Sequence, residues 1–90
     1  MSMTAREDCV NELRMLIDEA DEARFGTAQN LLLRYAYSQD GPEERAAALD
    51  RLLDDLGGGR ADMGSPAQQA FRAALLAMIE RTSLVVGPGH

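Results

Sequence analysis

Apolar residues recur every three to four positions along most of the chain, and no stretch alternates at period two. The first stripe is Cys9, Val10, Leu13, Leu16, Ile17 and Ala20, with Arg6, Glu7, Glu12, Arg14, Asp18, Asp21 and Glu22 opposite. Thr4 and Glu7 have the Thr-x-x-Glu spacing of a capping box, so an amphipathic helix is expected over about 4–25. Gly26 is the expected break or kink, a left-handed cap followed by Thr27 as the next N-cap. Continuing the helix through Gly26 costs about 1 kcal/mol relative to Ala.

The second helix, about 28–38, is apolar on more than one side. Ala28, Leu31, Leu32, Tyr35 and Ala36 form one face, while Leu33 and Tyr37 stand four apart on another. Such a helix must bury two surfaces, either centrally in a bundle or against a partner. Gln39 to Pro42 then reads as a stop and restart, with Pro42 at a first helical position and Glu43 and Glu44 where the dipole favours anions. Ala46, Leu49, Leu52, Leu53 and Leu56 mark a third helix over 42–56, ended by Gly57-Gly58-Gly59. Ser65-Pro66 opens a fourth, about 66–83, whose stripe is Ala70, Phe71, Ala74, Leu75, Met78 and Ile79. Thr82 to Val86 is its optional extension, and 87–90 is expected to be a frayed tail. The expected fold is all-α: a small four-helix bundle forming one domain over 1–86.

Composition adds a stability argument. Phe25, Tyr35, Tyr37 and Phe71 are the only aromatics, so the core must be Leu and Ala packing. In a 90-residue chain, area burial and chain entropy nearly cancel. A homodimer through the second helix is therefore expected.

Charge narrows the partners. The 15 acidic and 9 basic residues give a net charge of −6, and every cation is an arginine. The acids concentrate in 1–26 and 41–62, leaving 27–40 neutral and 63–90 slightly positive. An acidic excess disfavours direct binding to nucleic acid or an anionic membrane. The longest strictly apolar run, 73–79, is far short of the roughly 20 residues that span a bilayer. The first residues have neither the basic start nor the apolar stretch of a signal peptide, and a single cysteine forms no internal disulfide. A cytoplasmic protein is expected, and the lysine-free composition points to a GC-rich bacterial or phage genome.

Candidate chemistry is sparse. The only histidine, His90, is terminal after Gly-Pro-Gly, where imidazole-based catalysis or metal binding has no positioned ligand. Asp8 and Glu12, or Asp18 and Glu22, are spaced to face one another on a helix, but a solvated acidic face of Glu12, Asp18, Glu19 and Glu22 is the simpler reading. Arg14 is placed to reach Asp18, and Arg24 to reach Asp21. Gly57 to Arg60 lacks the lysine and the strand of a phosphate-binding loop. The start at Ser65-Pro66 offers free N–H groups to an anion, as most uncapped helix starts do. Asp62-Met63-Gly64-Ser65-Pro66 departs from the Asp-Ser-Leu of acyl carrier proteins. A helix-turn-helix around 39–41 would lead with Glu43 and Glu44, which repel phosphates. Cys9 lies on the apolar stripe beside Glu7 and Asp8, so an inert buried thiol is expected.

The expectation is a non-enzymatic protein with no cofactor and no metal, working by protein–protein interaction as a regulator, adaptor, antitoxin or immunity protein, or phage-encoded inhibitor. Leu33, Tyr37, Arg34, Leu32 and Asn30 are the expected interface with itself and with another protein. An acidic mimic that occupies a DNA- or RNA-binding protein is the alternative. An accessory subunit of an enzyme complex is a second.

Overall fold

The computed structural model describes residues 4–57 and 64–88. Among these the structure is all-helical: α1 (Ala5–Glu19), a 3-10 turn (Glu22–Arg24), α2 (Phe25–Tyr37), α3 (Pro42–Gly57) and α4 (Pro66–Val86). Thr4 caps α1 by accepting from the Glu7 N–H at 3.1 Å, while its hydroxyl donates to the Glu7 carboxylate. At α3 the Gly41 carbonyl accepts from Arg45 N–H at 2.9 Å, with Pro42 in the first turn.

The capping box at α4 is complete and also crosses to another helix. Ser65 Oγ accepts from Gln68 N–H at 3.2 Å, and Gln68 Oε1 accepts from Ser65 N–H at 2.8 Å. The Gln68 amide nitrogen then donates to Asp18 O in the last turn of α1, at 2.9 Å. One side chain thus caps α4 and satisfies an orphan carbonyl of α1.

The end of α1 differs from the sequence expectation. The helix stops at Glu19, and Ala20 takes the left-handed conformation at φ 52° and ψ 37°. Asp21 then caps the short 3-10 turn, its carboxylate accepting from Ala23 N–H at 3.0 Å. Gly26 is neither cap nor break; it lies in the first turn of α2. A left-handed alanine costs roughly 1–2 kcal/mol, and the early turn lets Phe25 meet Phe71 edge-on. Their ring centroids are 5.5 Å apart at an interplanar angle of 74°. The Asp21 cap, this aromatic pair and the Gln68–Asp18 bond together offset the strain.

α3 packs antiparallel against the C-terminal half of α4. An added Cβ at Gly87 would stand 3.1 Å from that of Ala46, Ser83 Oγ lies 3.5 Å from Asp50 Oδ1, and Gly57 faces Leu76. α4 runs to Val86, taking up the optional extension past 83. Leu13, Leu32, Leu49, Leu52, Leu75 and Ile79 are fully buried where the four helices meet, and among the described residues no polar or charged one is buried with them. Burying each such side chain contributes about 1.5–3 kcal/mol. Ala70 and Ala74, expected on the buried stripe of α4, are exposed. Phe71, Leu75, Met78 and Ile79 make the main core contact of that helix, with Val86 joining at its end.

Candidate functional site

Phe25, Gln29, Leu33 and Tyr37 are successive i, i+4 positions and form a straight ridge along α2. Across from them, Met78, Arg81, Thr82, Val85 and Val86 line the last two turns of α4, and the two rows wall a groove of about 450 Å³. Met78 and Val86 are buried, whereas Tyr37 is 59% and Val85 67% exposed. Thr82 spends its hydroxyl on its own helix, donating to Met78 O at 2.7 Å. Apart from Gln29, the Tyr37 and Thr82 hydroxyls and the Arg81 guanidinium, the groove lining is apolar, and among the described residues no carboxylate lines it.

Of the expected interface residues, the structure brings Leu33 and Tyr37 to this groove. Asn30 and Arg34 are exposed on the adjoining outer row of α2. Leu32 is not at the surface: it is fully buried with Ala28 and Ala36, on the face of the helix neighbouring that of Leu33. A rotation of about 100° per residue sends these neighbours in different directions. The sequence pattern offers the α4 wall, Val85 and Val86, only as an optional extension of that helix and does not place it beside Leu33 and Tyr37. A signal for it exists: Val85 and Val86 continue the spacing of Met78 and Thr82.

The acidic face is divided by the turn at Ala20. Glu12 and Glu19 flank a second depression of about 350 Å³ with Met15 and Leu31, and Arg24 pairs with Glu19 at 3.2 Å, not with Asp21. Asp18 lies on another side of α1, next to the start of α4. Glu22, past the helix end, borders a third depression lined by Ala67, Ala70, Ala74 and the Phe25–Phe71 pair. All four carboxylates are exposed. Arg14 donates to Asp55 O at 3.1 Å, and Arg6 approaches the Asp55 carboxylate at 3.7 Å, tying α1 to α3.

Neither the protein-family models, nor the curated proteins, nor the solved structures contain a counterpart to this chain at a significant level.

Cys9 is the one nucleophilic side chain in the described core, 7% exposed. Burial pushes its thiol up to about 11, with the Glu12 carboxylate one turn away adding to the shift. A thiol held protonated at neutral pH is a poor nucleophile and metal ligand. Glu7 and Asp8, expected to raise it, are not the carboxylates that do so. Tyr35 is also raised, first by burial and then by Cys9, against the lowering effect of Arg6 and Arg51. Among the described residues no group of three or more His, Cys, Asp or Glu side chains is arranged to hold a metal ion, and no helix is long and apolar enough to cross a membrane. His90, the glycines at 58 and 59, Arg60 and Asp62 lie outside the described residues.

Proposed function

We propose that this protein is a non-enzymatic binding protein that presents the α2–α4 groove to another polypeptide, in the manner of a regulator or adaptor. The observation that carries this reading is the juxtaposition of Tyr37 and Val85, both more than half exposed, across a trough floored by buried Met78 and Val86. An apolar surface left open on a small domain marks an interaction site or an aggregation hazard, and here it has the shape of a helix-receiving trough. A homodimer, the expectation drawn from the small core, would compete with that partner for the same surface.

The test is affinity capture from the native cell with the intact chain and with the Tyr37→Ser, Val85→Ser double variant. Met15→Ser serves as control, because Met15 is 61% exposed but lies on α1, away from the groove. Partner recovery is expected to fall with the double variant and persist with the control. Equal recovery from all three proteins overturns the reading. Sedimentation of the same proteins reports whether a second copy occupies the groove.

A further inference from the structure

We infer that the occupant of the α2–α4 groove is an amphipathic helix of another protein, carrying a carboxylate beside its apolar anchors. This rests on the groove being a docking surface. The α2 ridge from Phe25 to Tyr37 runs roughly 18 Å at 1.5 Å per residue, the length of about three helical turns. Two facing helical ridges with a buried floor suit apolar anchors spaced i, i+4 and i+7.

Charge selects among helices. The chain carries −6 overall, yet the one ionic group lining the groove is cationic. Among the described residues Arg81 makes no ion pair. A second guanidinium, that of Arg45, lies over the Tyr37 ring at 5.1 Å, and Arg34 is exposed on the next row of α2. An incoming carboxylate therefore meets arginine and no competing acid in the lining. An incoming arginine or lysine meets repulsion.

The same observation disfavours a second copy. A two-fold contact sets groove against groove, and the partner lining offers Arg81 no carboxylate. Head-to-tail seating of the acidic α1 face builds rings or open chains in place of a two-fold dimer, which sedimentation distinguishes from a monomer. An anionic membrane surface would have to approach a body of like charge.

The test uses the intact chain and a displayed library of helical peptides about 15 residues long, enough to span the trough. Their exposed positions are randomised. Selected peptides are expected to carry Asp or Glu beside their apolar anchors. Binding of a selected peptide, measured by fluorescence anisotropy, is expected to weaken at least ~10-fold with Tyr37→Ser plus Val85→Ser, two of the anchoring contacts. Arg81→Glu, at an exposed position that leaves the core untouched, is expected to weaken the acidic peptide ~5- to 10-fold and to favour its Lys-substituted version. Helical circular dichroism checks that each variant is folded.

Failure to enrich peptides, enrichment without acidic bias, or an unchanged ranking with Arg81→Glu overturns the inference. So does a dimer in sedimentation that the Tyr37→Ser, Val85→Ser variant converts to monomer, since a second copy then fills the groove. If cellular capture still depends on Tyr37 and Val85 while the acidic bias is missing, the docking surface stands and only its occupant is wrong. If capture and peptide binding both ignore those residues, the docking surface fails as well.

Discussion

The guanidinium of Arg45, in the first turn of α3, lies over the ring of Tyr37 at the end of α2, 5.1 Å from its centroid. This contact bridges the short Ser38–Gly41 connection. It also holds a ring that lines the groove. Arg45 Nε is buried without a hydrogen-bond partner, so its attraction to the ring is its described compensation. Cation–π contacts at such sites contribute about 0.5–1 kcal/mol. A double-mutant cycle with Arg45→Ala and Tyr37→Leu, followed by urea unfolding, is expected to return a coupling of that size. Additive effects of the two substitutions would falsify the interaction.

The positions around the first turn are both expected to gain from substitution, in opposite senses. Ala20→Gly removes the left-handed strain and is expected to raise stability by roughly 0.5–1 kcal/mol, while Ala20→Val is expected to lower it by more than ~1 kcal/mol. Gly26→Ala is expected to stabilise by about 0.4–1 kcal/mol, because an added Cβ there meets nothing within 4 Å. Thermal melts of the three variants check the order. A break at Gly26 instead of Ala20 would reverse both glycine results.

Neighbouring leucines on α2 separate core from surface. Leu32→Ala is expected to cost about 2–5 kcal/mol, as for other fully buried leucines. Leu33 is only half-buried, so Leu33→Ala is expected to cost less than half as much. Comparable losses in chemical denaturation would mean that α2 is rotated from the position described.

Cys9 sets a pH dependence at the alkaline end. Its thiol is raised from 9.0 to about 11 by burial and by Glu12. The folded state therefore holds this proton more tightly than the unfolded chain does. That contribution is fully present below pH 9 and is lost as pH rises towards 11. Stability is expected to fall across this window, and Cys9→Ala is expected to flatten the part due to the thiol, leaving the part from Tyr35, whose hydroxyl is also raised by burial. At about pH 7.5, well below the raised value, a thiol reagent is expected to label Cys9 only after unfolding. Rapid labelling of the native protein would show that the site is open.

Much of this architecture is written in local chemistry. The start of α3 at Pro42, the Ser65-Pro66 start of α4 and the Thr4 cap follow from side chains within a few residues of each terminus. The core positions Leu13, Leu49, Leu52, Leu75 and Ile79 follow from spacing, because one face of each amphipathic helix must leave water. Leu33 and Tyr37 are legible as a second apolar face for the same reason.

What tertiary structure alone decided are the features balanced by distant residues. Glycine is the usual left-handed residue, so local reasoning places the turn at Gly26. The chain turns at Ala20 instead, where Gln68 holds the Asp18 carbonyl and Phe25 reaches Phe71. Both contacts join α4 to residues far earlier in the chain, beyond the range of any local pattern. The α4 wall of the groove arises likewise: spacing allowed Val85 and Val86 to extend the helix, but only the packed fold sets them across from Leu33 and Tyr37. Sequence periodicity marked which residues had to leave water; the packing of α4 against α2 determined that Tyr37 and Val85 would remain in it.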